Sequence, residues 1–192
     1  IDSDRLAVTS AGCALYYVDN NFKGRTEHIQ TLTLIQKEGI MGLDAFTIRN
    51  LEIFQSLSTQ GIHGTLVGTI DETITGSGSR LLKNWLSQPL TDPEKINERL
   101  NRISEFIDNP EMIEEIQSIL KETSDLERII ARIATGKASP RDVLNVGITL
   151  SKTPMIQNSI NISSSVLSKL VKQFSDTSEI TKSILKIIKE DP

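Results

Sequence analysis

Apolar residues recur at helical spacing over most of this chain, and turn chemistry punctuates them. Residues 4–19 place Leu6, Cys13, Ala14, Tyr17 and Val18 on one helix face, with small residues that allow close packing. Asn20, Asn21 and Gly24 then break the pattern. Residues 28–36 (HIQTLTLIQ) are rich in Thr and Ile with partial alternation, which predicts a short strand, and residues 39–43 are its candidate partner. Residues 44–58 leave two readings open. Leu51, Phe54 and Leu57 suit a helix, whereas Leu51, Ile53 and Leu57 suit an extended segment.

From Thr65 onward the pattern is helical. Leu66, Val67 and Ile70 begin a short helix, which Gly76, Ser77, Gly78 and Ser79 interrupt. Leu81, Leu82, Trp85 and Leu86 form a stripe that stops before Pro89, and all four are expected in the core. Asp92 followed by Pro93 is a start signal, because the carboxylate can accept a free N–H and proline lacks the N–H that would go unsatisfied. Ile96, Leu100, Ile103 and Ile107 follow it, and Asn109-Pro110 repeats the signal before Ile113, Ile116 and Leu120. Ser124, Asp125, Leu126 and Glu127 predict a capping box ahead of Ile129, Ile130 and Ile133, with Gly136 as the stop. Ser139-Pro140 opens a helix through Val143, Val146 and Leu150, which Pro154 ends. Val166 to Phe174 and Ile180 to Ile188 mark two more. Short turns between such helices predict a mainly α, multihelical array of antiparallel neighbours, with a small extended or β element near residues 28–54. No fixed-period repeat is visible.

Composition narrows the chemistry. Ile, Leu, Val and Phe make up 58 of 192 residues, well above the roughly 20% below which charged chains stay disordered, so a core is within reach. Lys and Arg number 21 against 25 Asp and Glu, a net charge of −4, which disfavours tight nucleic-acid binding by this chain alone. One cysteine, Cys13, excludes an internal disulfide framework and a cysteine-rich zinc site. His28 and His63 have no acidic or thiol company at ligand spacing and read as loop histidines. No apolar run approaches 18 residues, and no basic-then-apolar leader opens the chain. The opening Ile1 suggests a piece of a longer protein. The glycine-rich stretch at 76–80 lacks the lysine of a phosphate loop and follows no strand, so it reads as a helix start. Arg128, Arg132, Lys137 and Arg141 cluster, but Asp125, Glu127 and Asp142 are spaced to pair with them. Pairs such as Glu114-Glu115 face solvent and suggest no acid–base chemistry.

Several stretches in one order carry a resemblance. Residues 41–53 contain Leu43 and Asp44, then Thr47, then Asn50, Leu51 and Glu52. Thr65-Leu66, residues 70–75 (IDETIT), Gly78, Ser79, Arg80, Leu81, Leu82 and Lys83 follow, then Trp85, Leu86, Pro89 and Leu90. Ile96 and Arg99, then Asp125, Leu126, Glu127 and Arg128, then Ala138, Ser139, Pro140, Arg141 and Asp142 complete it. This sequence resembles the bacterial-type MutS family of DNA mismatch-recognition proteins over nearly its whole length.

The resemblance implies that residues 1–27 are the end of a connector domain and its linker. It implies that residues 28–192 are the first part of a core or lever domain, ending before a clamp insertion. It also implies a parent that binds mismatched double-stranded DNA and ATP with Mg2+, works as a homodimer with a MutL-type partner, and resides in the bacterial cytoplasm. This stretch contains no Phe-x-Glu mismatch-reading motif and no Walker motif. The expectation is therefore a non-enzymatic segment with no cofactor or metal of its own, transmitting between an ATPase and a DNA clamp and contacting other domains of the parent. Arg80 is the motif residue whose forked donors invite a carboxylate or carbonyl partner. Exposed apolar residues at 163–190, Val166, Leu170, Ile184 and Ile187, predict self-association. The rival readings are a generic helical interaction module, a DNA-binding module using the Arg128–Arg141 cluster, and a family paralogue outside mismatch repair.

Overall fold

Most helices of the computed structural model begin where a side chain can accept a free backbone N–H. The structure describes residues 2–22, 29, 31, 39–160 and 165–188. The first helix, α1 (Asp2–Phe22), follows the expected 4–19 pattern and runs past Asn20 and Asn21. Asp44 caps α2 (Ala45–Asn50) through the Thr47 N–H at 2.7 Å, and Thr65 caps α3 (Leu66–Ile70) through the Gly68 N–H at 3.0 Å. Thr75 caps α4 (Gly76–Ser87), and Asp92 caps α5 (Pro93–Ile107) with the proline in its first turn. There follow α6 (Pro110–Lys121), α7 (Leu126–Ala134), α8 (Pro140–Ser151), α9 (Thr153–Ser159), α10 (Ser165–Val171) and α11 (Ser178–Ile187). The mainly α expectation holds.

The exceptions have local causes. The expected strand at 28–36 falls almost entirely outside the described residues. Its candidate partner, 39–43, pairs elsewhere: Ile40 and Leu90 form one antiparallel bridge. Two bonds flank that bridge, Met41 N–H to the Pro89 carbonyl at 2.7 Å and Thr91 N–H to the Gly39 carbonyl at 2.9 Å. Residues 44–58 are neither one helix nor extended, because α2 stops after six residues and Glu52 enters the left-handed region at φ 47°. Gly76 to Ser79 do not interrupt a helix; they are the first turn of α4. The capping box sits at Ser139 and Asp142, not at Ser124 and Glu127. Ser124 donates its N–H to Thr149 Oγ1 at 2.9 Å instead, and Asp125 caps α7. Gly136, at φ 67°, ends α7 as expected. Its N–H reaches the Ile133 carbonyl while Lys137 N–H reaches that of Arg132, the double bond pattern of a Schellman stop. Pro154 ends α8 only by sitting in the first turn of α9, a helix the spacing did not predict.

Met112, Ile160 and Leu167 form the buried centre where α5, α6, α9 and α10 meet, with Phe106, Ile116, Ile156, Leu170 and Val171 around them. Further on, α8 is gripped between α7 and α11 and buries Leu144, Val146, Gly147 and Thr149. At the other end Ile53, Ser56, Thr65 and Val67 are buried. There Leu66 N–H donates to the Glu52 carbonyl and Val67 N–H to that of Ile53, so α3 closes over the end of α2. Packing also corrects the picture of the last helices. Leu170 joins the buried centre and Ile184 packs on Gly147, so neither is left for a second copy; Ile187, 79% exposed, is.

Candidate functional site

The turn that opens α4 is the most heavily cross-linked polar place among the described residues. Four short side chains build it. Thr75 accepts the Gly78 N–H at 3.1 Å. Asp71, just past α3, accepts the Thr73 N–H at 3.2 Å and the Thr73 hydroxyl at 2.6 Å, a turn in which a carboxylate stands in for a backbone carbonyl. The other oxygen of Asp71 accepts the Ser79 hydroxyl at 2.5 Å. A Cβ has little room here: on Gly76 it would lie 2.9 Å from Asp125 Oδ2, and on Gly78 3.1 Å from Thr75 Oγ1.

Arg80, next to Ser79, reaches across to α7. Its Nη1 donates to Asp125 Oδ2 at 2.8 Å and its Nη2 to Asp125 Oδ1 at 2.7 Å, a two-pronged pairing with geometric specificity. Nε donates to Glu127 Oε2 at 2.7 Å, Nη2 also contacts that oxygen, and Nη2 donates to Ser77 Oγ at 3.1 Å. Asp125 has a second task, since its Oδ1 also accepts the Arg128 N–H as the cap of α7. The Arg80 bonds, followed by the Arg128 N–H, hold the Asp125 carboxyl at about 2, below the usual range; desolvation opposes them and loses. Arg80 is correspondingly stabilised in its charged form. Glu127 explains why no capping box forms at α7: its carboxylate is turned toward Arg80, not back to Ser124.

The remaining motif residues hold other junctions. Leu43 is half-buried beside the cap Asp44, whose carboxyl the Thr47 N–H pulls below its ordinary value. Asn50 ends α2, and Glu52 accepts the Leu57 N–H at 2.5 Å. Leu51 is 62% exposed and contributes no core. Leu81 and Trp85 also depart from the core expectation, Trp85 being 38% exposed. Trp85 instead carries the Arg99 guanidinium 4.0 Å above its ring centroid, a cation–π contact that joins α4 to α5. The roughly 3–5 kcal/mol that full burial would give Trp85→Ala is therefore too high. Pro89 and Leu90 serve the bridge to residues 39–41, and Pro140 follows the cap Ser139 at the start of α8. In the basic cluster Arg128 pairs with Asp125, and Arg132 Nη2 meets Asp142 Oδ1 at 2.5 Å; Lys137 and Arg141 make no ion pair among the described residues. Asp142, held also by the Ser139 N–H, is likewise lowered to about 2.

Sequence reasoning anticipated an acceptor for Arg80 but not its identity, and it gave Asp71 and Ser79 no role. The spacing of Asp71 and Thr73 is the signal that could have found the first. Among the described residues no group of His, Cys, Asp and Glu is placed to hold a metal, and no helix is long and apolar enough to cross a membrane. What the geometry can do is mechanical: it pins the first turn of α4 to the exit of α3 on one side and to the start of α7 on the other.

The model of the family described as MutS domain III matches residues 46–192. The chain belongs to this family. Proteins named DNA mismatch repair protein MutS match it along its length. That of Caldanaerobacter subterraneus subsp. tengcongensis is 34% identical over all of this chain and 22% of the relative. That of Desulforamulus reducens is 39% identical over 98% of this chain and 22% of the relative. That of Christiangramia forsetii is 42% identical over 74% of this chain and 16% of the relative. The chain thus spans about a fifth of the length of the MutS proteins it matches.

Proposed function

We propose that this MutS domain III segment is a structural and allosteric relay in a mismatch-repair protein, coupling an ATP-hydrolysing part to a DNA-clamping part. The observation that carries the reading is the Arg80 fork, which ties α4 to a helix start 45 residues away. Coupling between distant sites needs an element with distinct arrangements that each ligand biases. A two-pronged ion pair suits that role, because it is either aligned or lost, while stiff helices of 15 and 12 residues, α5 and α6, lie in the chain between its two ends. Membership of the family and the names of the relatives support a role in mismatch repair over a generic interaction module or a paralogue outside repair. The pairing of Arg128 and Arg132 speaks against an independent DNA-binding patch.

In this reading residues 1–27 are the end of the connector and residues 28–192 the first part of the lever. The parent binds mismatched double-stranded DNA and ATP with Mg2+, dimerises, and meets a MutL-type partner in the cytoplasm. This segment turns over no ATP itself. The test is Arg80→Lys in the full-length protein, which keeps the charge and removes the fork. ATP turnover without DNA should change by less than about twofold. The response of turnover to mismatched duplex should fall about fivefold, the lower end of measured couplings. An unchanged response would overturn the proposal.

A further inference from the structure

Arg80 has a neighbour whose bond the relay reading leaves without a purpose. Ser79 precedes it on the same turn and donates to Asp71 at 2.5 Å, while the other Asp71 oxygen is held by Thr73 twice. Asp71 closes α3 through its N–H to the Val67 carbonyl at 2.9 Å, and Val67 is one of the most deeply buried side chains. Leu66 and Val67 are in turn bonded to Glu52 and Ile53. A continuous set of short bonds therefore runs from the end of α2, through α3 and Asp71, to Ser79. From the next residue, Arg80, a second set runs to Asp125, Glu127 and the start of α7.

We infer that Asp71 and Ser79 are positioning residues for the Arg80 fork, forming a second clasp that couples the 44–71 segment to the helical array through one helical turn. The inference rests on the relay reading and deepens it by naming where the 44–71 segment connects. Adjacent helix positions project about 100° apart, so Ser79 and Arg80 face different segments, and one turn serves as the shared pivot. Fixing Ser79 fixes the rotation of that turn about the helix axis, and the rotation sets where the guanidinium points. Asp125 also lies against the first turn itself, since a Cβ placed on Gly76 would come within 2.9 Å of its Oδ2. The hydroxyl matters here for its direction, which separates it from a residue that merely fills volume.

The test uses the full-length protein and the response of ATP turnover to mismatched duplex. Ser79→Ala should lower that response about fivefold. Turnover without DNA should stay within about twofold, and Ser79→Thr, which restores a hydroxyl, should restore the response. If Ser79→Ala does not fold, Asp71→Ala, which removes the acceptor of the Ser79 hydroxyl, should show the same loss. If Arg80→Lys lowers the response and Ser79→Ala does not, the clasp is overturned and the relay reading stands. If neither lowers it, both are overturned. Failure of Ser79→Thr to restore the response would assign Ser79 a packing role and also overturn the clasp.

Discussion

Gly147 decides how closely α8 and α11 can approach, and replacing it with alanine puts two opposing effects of known size in competition. In an exposed helix Gly→Ala stabilises by up to about 1 kcal/mol. At this buried position the new Cβ would lie 2.7 Å from Ile184 Cγ2, 3.1 Å from Leu185 Cδ2 and 3.3 Å from Ile184 Cβ. Carbon atoms prefer roughly 3.5–4.0 Å. Leu185 can swing its terminal methyl aside, but Ile184 is branched at Cβ and has essentially one rotamer in a helix, so the overlap falls on the helix backbone itself. Overpacking of this kind costs about 1–3 kcal/mol. The balance for Gly147→Ala is a destabilisation of up to about 2 kcal/mol. For a chain of this length each kcal/mol lowers Tm by roughly 2–4 °C. The decisive measurement is a cycle with Ile184→Ala, read by thermal and urea unfolding. In that background the 2.7 Å contact with Cγ2 is gone and only the milder ones remain, so Gly147→Ala should be clearly less destabilising than in the wild-type background. A rise in Tm for the single Gly147→Ala change, or the same shift in both backgrounds, would show that α8 and α11 do not pack this way.

Two further outcomes follow from the polar contacts. Asp125 and Asp142 sit at about 2, below the usual carboxylate value, so folding favours their charged forms. Their stabilisation is complete above about pH 4 and is lost as pH falls through about 2. Urea midpoints should decline over that window, and Asp142→Asn should flatten part of the decline; a midpoint independent of pH there would refute the assignment. Trp85 is the one tryptophan, so its emission reports the contact with Arg99 directly. Arg99→Ala should shift that emission and cost about 0.5–1 kcal/mol, the scale for a cation–π pair at a partly exposed site. Unchanged fluorescence would place the guanidinium elsewhere.

Helix ends were legible because their signals are local. Asp92-Pro93, Ser139-Pro140 and Gly136 each act within a few residues, and each does what its chemistry implies. Errors arose where a distant partner outbid a local one. Ser124 and Glu127 have the spacing of a capping box, yet Thr149 takes the Ser124 N–H from 25 residues away and Arg80 takes Glu127 from 47. Residues 44–58 defeated both periodic readings because turn bonds organise them: Ser56 N–H to the Gly61 carbonyl, Leu57 N–H to Glu52, and Glu52 at positive φ, with Gln60 doing the same just beyond. Apolar spacing has no access to such contacts. The same limit misplaced Trp85, since a helical stripe shows which residues share a face but not whether that face is covered.

The motif residues as a group show why the family is recognisable in this chain. Few of them fill the core. Met112, Ile160 and Leu167, which do, lie outside every motif, and aliphatic residues of similar volume can replace one another at such positions. Asp44, Glu52, Thr75, Gly78, Arg80, Pro89, Asp125 and Pro140 instead cap, bend or pin the ends of helices, where a specific donor, acceptor or missing Cβ is required. Arg80 cannot be exchanged for lysine without losing two-pronged geometry, nor Gly76 for alanine without meeting Asp125. In this chain the residues with the most specific chemical demands sit at the joints between helices, so the resemblance that places it in its family resides there more than in the apolar faces between them.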